Sequence, residues 1–189
     1  MAQDLNFYEI LELYPAATQE EIDNAFKLML YKYHPDHNPD RPDWAHEKTS
    51  QAVEAYNVLS HPLRRKIYNF MIFAVLKKAP AARKFNIFQG GEKKKYERAR
   101  ELFMEGVNNY DINKSAALGK FQQSYGTFKM SETIYNLGVL YTATNKLDEA
   151  LRAFMEAVKL DPESQHYSRT LEKFRILKIE IERAKKSGV

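Results

Sequence analysis

Apolar positions recur at helical spacing along the chain, and prolines, glycines and polar clusters cut them into short helices. Phe7, Tyr8, Ile10, Leu11 and Leu13 predict a brief apolar helix that Pro15 closes. Thr18-Gln19-Glu20-Glu21 reads as a capping box, in which the Thr18 hydroxyl accepts from the backbone three residues on and Glu21 reaches back. Behind it, Ile22, Phe26, Met29, Leu30 and Tyr33 form one stripe of an amphipathic helix. His34-Pro35 stops that helix, because a residue before proline disfavours helical geometry. Residues 36–42 hold two more prolines and predict an exposed loop. The next helix, from near Asp43, carries Ala52, Ala55, Tyr56 and Leu59 on one face, and another starts at Ser60-His61-Pro62.

Apolar density stays high from Phe70 to Leu76, which predicts that the last of these helices extends to about Lys78 and packs on the C-terminal part. The alternative is an exposed patch that binds a partner. Ala79-Pro80-Ala81-Ala82 and Gln89-Gly90-Gly91 then break the chain, so a linker is expected at 79–91. From Glu92 onward the pattern is helical. Ile134-x2-Leu137-Gly138-x2-Tyr141, Ala150-x3-Phe154, Ala157 and Pro162 fall in the register of a 34-residue helix-turn-helix repeat. Residues 131–164 therefore resemble a tetratricopeptide repeat, with Ile134 in place of the usual Trp. Residues 96–107 and 114–125 form a similar, degenerate pair through Gly106, Ala117 and Phe121. Tyr167, Leu171, Phe174, Ile176, Leu177 and Ile181 suit a helix that caps the stack.

Charge changes the picture in one place. The 189 residues carry 29 Lys/Arg and 25 Asp/Glu, a net of +4. Residues 1–70 are acidic, with 7 basic against 11 acidic side chains, whereas residues 77–100 hold 9 basic and 2 acidic ones. The basic stretch reads as a solvated linker and helix face, and no nucleic-acid partner is expected. With no cysteine, thiolate metal sites and cysteine nucleophiles are excluded. Met1-Ala2-Gln3-Asp4 shows no basic head before an apolar run, so neither a signal peptide nor a membrane partner is expected, and the setting expected is cytoplasmic. No Gly-rich phosphate loop, nucleophile elbow or paired-carboxylate motif occurs. Enzyme activity, catalytic residues and a cofactor are therefore not expected. His34, His37 and His46 with Asp36, Asp40 and Asp43 match no standard ligand spacing, so no metal site is expected either.

One further block decides the N-terminal third. Phe7-Tyr8-Glu9-Ile10-Leu11, then Lys32-Tyr33-His34-Pro35-Asp36, then Glu54-Ala55-Tyr56-Asn57-Val58-Leu59-Ser60-His61-Pro62 with Arg64, Arg65 and Tyr68, resemble the J domain of DnaJ-type co-chaperones over about residues 5–69. The resemblance implies binding to a DnaK-type heat-shock chaperone and stimulation of its ATP hydrolysis. It makes His34, Pro35 and Asp36 the trigger, with Lys27, Tyr31, Lys32, Arg64 and Arg65 as further chaperone-binding residues. Asp23 and Leu28 stand where the family commonly has basic residues, and Thr49 and Ser50 where it has an aromatic-basic pair. Trp44 or Tyr31 is expected to replace the packing lost there.

The expected fold is all-α: a J-domain helical hairpin (1–70), a helix extension and linker (71–91) and a tetratricopeptide-like antiparallel stack (92–189). Glu132, Tyr135, Asn136, Val139 and Thr142 are expected to line the peptide groove of that stack and to take a client or partner protein. Asn136 fits one position of the family's clamp for acidic chaperone C-termini, while Glu132 and Val139 do not resemble the others. The rival function is a J-like scaffold that stimulates nothing.

Overall fold

The computed structural model describes residues 6–78 and 90–187. Most of the expected 79–91 linker, residues 79–89, lies outside the described residues. Among the described residues the regular structure is all helical. The chain forms two units, Met1–Asn69 and Phe70–Val189.

The first unit holds α1 (Phe7–Ile10), α2 (Gln19–Tyr33), a single 3-10 turn (Pro35–His37), α3 (Pro42–Leu59) and most of α4 (Pro62–Phe73). Asn6 caps α1 by accepting from the Tyr8 and Glu9 amides, and Glu9 returns the bond to the Asn6 amide. Thr18 and Glu21 do the same for α2. The Thr18 bonds hold the Glu21 carboxyl below the ordinary carboxylate range. Such caps matter because the first four backbone donors of a helix have no internal partner. Ile22 and Met29 of α2 meet Ala52, Ala55 and Leu59 of α3, with Tyr8 and Leu11 closing the core. Phe26 stacks on Tyr56 at 4.0 Å. Tyr68 of α4 stacks on Phe7 at 4.6 Å and accepts from the Phe7 amide at 2.8 Å.

The second unit holds α5 (Gly90–Asn109), α6 (Lys114–Thr127), α7 (Ser131–Ala143), α8 (Leu147–Leu160) and α9 (Gln165–Lys186). Each helix packs on the next in sequence, as short connections dictate. Two glycines set the crossings. A Cβ on Gly106 would stand 2.8 Å from the Phe121 ring, and one on Gly138 would stand 2.7 Å from the Phe154 ring. The degenerate pair thus uses the same contact as the clear repeat. Gly106 and Phe121 pack with Tyr96, Ala99, Phe103 and Ala117, to which α7 adds Leu137 and Leu140. Tyr141 joins this side by accepting from the Gln122 amide at 3.2 Å. Tyr167, Leu171, Phe174, Leu177 and Ile181 of α9 are buried. Ile176, expected on that stripe, is exposed, because it lies two residues after Phe174 and falls on the outer side of α9.

The α4 helix ends at Phe73, short of the expected Lys78. Residues 75–78 carry no helical structure, although no proline or glycine interrupts them. Phe70 and Ala74 are buried.

The glycine contacts generate a paired test. Gly138→Ala gains helix propensity, yet it drives a methyl into a buried ring. We expect it to destabilise the protein by about 1–3 kcal/mol. Gly119, inside α6, has nothing within 4 Å of its would-be Cβ. Gly119→Ala should stabilise by about 0.5–1 kcal/mol. Urea unfolding of the two variants measures both, and shifts of the same sign would refute the close-crossing account.

Candidate functional site

The His34-Pro35-Asp36 loop is a built turn. His34 is the C-cap of α2, and its Nδ1 accepts from the Asp36 amide at 3.2 Å. Pro35 opens the 3-10 turn, where its missing N–H costs nothing. The Asp36 carboxylate is 84% exposed and has the His34 ring 3.5 Å away. It is presented to solvent, with no bond in the core to hold it.

The carbonyls left at the end of α2 are covered from the loop and from α3. The Asn38 amide donates to the Lys32 and His34 carbonyls at 3.0 Å each. The His37 ring contacts the Tyr31 carbonyl at 2.8 Å and the Tyr31 ring edge-on at 4.6 Å. The Thr49 hydroxyl donates to the Tyr33 carbonyl at 2.9 Å. Sequence reasoning missed Asn38 and His37, and read Thr49 only as a departure from the family. An Asn shortly after a helix stop was the available signal, since its side chain readily takes orphan carbonyls. Trp44 packs edge-on against Tyr33 at 5.3 Å, whereas Tyr31 is mostly exposed, so Trp44 supplies the packing.

The basic residues expected around the loop divide into two kinds. Lys27 and Arg64 are exposed, and Arg64 donates to the Asn57 carbonyl. Lys32 pairs with Glu12 at 2.7 Å, which raises its pKa above the usual lysine value. Arg65 is engaged inside the domain. Its guanidinium donates to the Tyr8 hydroxyl at 2.9 Å and to the carbonyls of Pro15 and Ala17. That ties α4 to the chain between α1 and α2, and Tyr8 passes the link on to Asn69 at 2.7 Å. Asp23 accepts from the Tyr56 hydroxyl at 3.1 Å.

The second candidate is the groove face of α7. Tyr135, Asn136, Val139 and Thr142 are all buried, and Glu132 is half-buried. The expected open groove is therefore covered. The Lys77 amide donates to Asn136 Oδ1 at 2.8 Å, and Asn136 Nδ2 donates to the Lys77 carbonyl at 3.2 Å. The Tyr135 hydroxyl lies 2.8 Å from His166 Nε2, and burial pushes the phenol up to about 12. Burial lowers Lys77, with Glu132 opposing, and it lowers His166, with Lys77 adding to the effect. Among the described residues no cluster of acidic or histidine side chains is placed to hold a metal ion, and no helix is long and apolar enough to cross a membrane.

Comparison with known proteins finds a family match over each of the two regions. The family model of the DnaJ domain matches residues 6–69, and that of the tetratricopeptide repeat matches residues 131–164. "Chaperone protein DnaJ" of Caldicellulosiruptor bescii is 46% identical over 69 residues, 36% of this chain and 18% of that protein. Its namesake from Bacteroides thetaiotaomicron is 45% identical over 69 residues, 36% of this chain and 17% of that one. "DnaJ homolog subfamily B member 8" of Mus musculus is 39% identical over 64 residues, 34% of this chain and 28% of its own length. The chain thus spans less than a third of these relatives. No solved structure matches it. Residues 6–69 are a DnaJ domain and residues 131–164 a tetratricopeptide repeat, and the chain resembles a J-domain co-chaperone with a C-terminal tetratricopeptide-repeat region.

Proposed function

We propose that this protein is a co-chaperone. Its His34-Pro35-Asp36 loop stimulates ATP hydrolysis by a DnaK-type heat-shock chaperone, and its C-terminal half binds a client or partner protein. The proposed setting is cytoplasmic. The proposed division is a J domain over 1–70, an extension and linker over 71–91, and a helical binding domain over 92–189. The observation that carries the reading is the exposed Asp36 carboxylate, held in a hydrogen-bonded turn of a DnaJ domain. An anion so presented suits a cation on a partner, where a charge-assisted bond outweighs a neutral one. Lys27, Tyr31 and Arg64 are exposed and add to the contact surface, with Lys32 beside them. Arg65 acts as a positioning residue, since its guanidinium already bridges Tyr8, Pro15 and Ala17. No step of catalysis falls on this chain; the bond broken is in the partner's nucleotide.

One observation favours the rival scaffold reading. The α2 face is poor in available cations: Lys32 is paired, Asp23 adds negative charge, and Leu28 is exposed where a cation would serve. A J-like scaffold would bind partners and leave the chaperone's hydrolysis rate unchanged.

Single-turnover ATP hydrolysis by a DnaK-type chaperone separates the two. The wild-type chain should accelerate it, and Asp36→Asn should abolish the acceleration while changing stability by no more than about 0.5 kcal/mol. Equal stimulation by both proteins would remove the trigger role, and no stimulation by wild type would favour the scaffold.

The loop anchors give a graded outcome. Asn38→Ala leaves Asp36 in place but frees the Lys32 carbonyl and leaves the His34 carbonyl with only the His37 amide. It should lower stability by about 1 kcal/mol and reduce stimulation without abolishing it. Thermal melting and the same hydrolysis assay test this together, and full stimulation would show that the turn holds without Asn38.

Charge steering gives a third. Asp23→Arg adds a cation to α2, so association with the chaperone should speed up at low salt and lose that gain as salt rises. The substitution also takes the acceptor from the Tyr56 hydroxyl, at a stability cost of about 1 kcal/mol. Stopped-flow association at two ionic strengths reads the first effect; a slower or salt-insensitive rate would place the contact elsewhere.

A further inference from the structure

The face made by α7, α8 and α9 is filled by the chain's own residues 70–78. The Phe70 ring stands 5.9 Å from Phe154 and 5.4 Å from Phe174. Ala74 is fully buried. Beyond it the chain runs without helical structure, and the Asn136 amide takes the Lys77 main chain at both its N–H and its C=O. The Lys77 ammonium lies 5.7 Å from the Tyr135 ring and 5.5 Å from the Tyr167 ring. Ile72 and Val75 are exposed between these anchors.

Two features separate this from ordinary packing. A buried amide is a costly way to hold a strap, because it must find partners for both its ends. Asn136 finds both on one backbone residue. The bond pair recognises a main chain whatever its side chain, provided that residue's N–H and C=O are not already used in a helix. The second feature is the setting of the lysine. Burial works against the Lys77 charge, but the two ring faces and the nearby Glu132 oppose that loss, and the same Glu132 disfavours an acidic segment. This is the reverse of a clamp for acidic tails.

We propose that this face is a peptide-binding groove held shut in cis. Its resident occupant is residues 70–78, and a protein segment enters in trans only when they leave. The entering segment is extended at its clamped residue, carries a lysine there and brings an aromatic anchor upstream, as Phe70 and Lys77 do. This rests on the reading that the C-terminal half binds a protein segment. It adds the guard and the chemistry of the ligand.

The test uses the full chain and a fluorescein-labelled nonapeptide with the sequence of residues 70–78, followed by fluorescence anisotropy. Lys77→Pro removes the N–H that bonds Asn136, together with the ammonium, and leaves the groove residues intact. It should bind the peptide at least about tenfold more tightly than wild type, as expected where one hydrogen bond and a cation contact no longer compete. Adding Asn136→Ala to that variant should remove the gain, and a peptide with glutamate in place of its Lys77 equivalent should bind more weakly. Equal binding by wild type and Lys77→Pro, or a gain that survives Asn136→Ala, overturns the proposal. If Lys77→Pro does not melt cooperatively, Phe70→Ala, which loosens only the aromatic anchor, carries the same expectation and the same refutation. The assay contains no chaperone and no ATP, so a negative result leaves stimulation by the His34-Pro35-Asp36 loop standing.

Discussion

Close approach at two glycines governs the second unit. At Gly138 the Phe154 ring occupies the space of a missing side chain, and at Gly106 the Phe121 ring does the same. An aromatic ring seated against backbone fixes both the distance and the rotation of a helix pair, because the ring has one slot and fills it. Once α7 and α8 are locked in this way, Phe154 also meets Tyr135 at 5.6 Å and Phe174 at 5.1 Å. The same side chain therefore sets the repeat, seats α9 and forms the floor on which Phe70 rests. The face against which residues 70–78 pack is a consequence of the crossing.

The first unit solves a different problem. An exposed loop with its carboxylate in solvent has no core to hold it rigid. The solution is to cover the carbonyls at the end of α2. Asn38 takes Lys32 and His34, His37 contacts Tyr31, and Thr49 takes Tyr33. Each is a polar contact at the surface, worth little alone. Together they account for consecutive backbone groups, and the loop geometry follows from that accounting. Arg65 does similar work at the other end of the domain, gathering the carbonyls of Pro15 and Ala17 and the Tyr8 hydroxyl onto α4.

Sequence pattern was most informative where a residue type has one physical use. The Thr18-Glu21 box, the Gly138-Phe154 register and the stop at His34-Pro35 all read directly from spacing, and the helices stand where those signals put them. It was least informative where a side chain has several partners available. Arg65 reads as a surface cation from sequence, yet three oxygens from chain 48 to 57 residues distant engage it. Asn136 reads as a groove residue, and nothing local says that it bonds the Lys77 main chain. Ile176 reads as part of an apolar stripe, and only the packing of α9 shows that the stripe is narrower than the list of apolar residues.

The end of α4 shows the same limit in its sharpest form. Nothing in Ala74-Val75-Leu76-Lys77 forbids a helix, and alanine and leucine favour one. A continued helix would send the Lys77 N–H to the carbonyl four residues back. In the structure that N–H goes to Asn136, and the Lys77 carbonyl, which a helix would offer to a later amide, accepts from the same side chain. The helix stops because a buried amide 59 residues away makes the two hydrogen bonds that helix propagation would have made. Local propensity and tertiary capture are close in energy for a few residues at a helix end, each step amounting to about 1 kcal/mol or less.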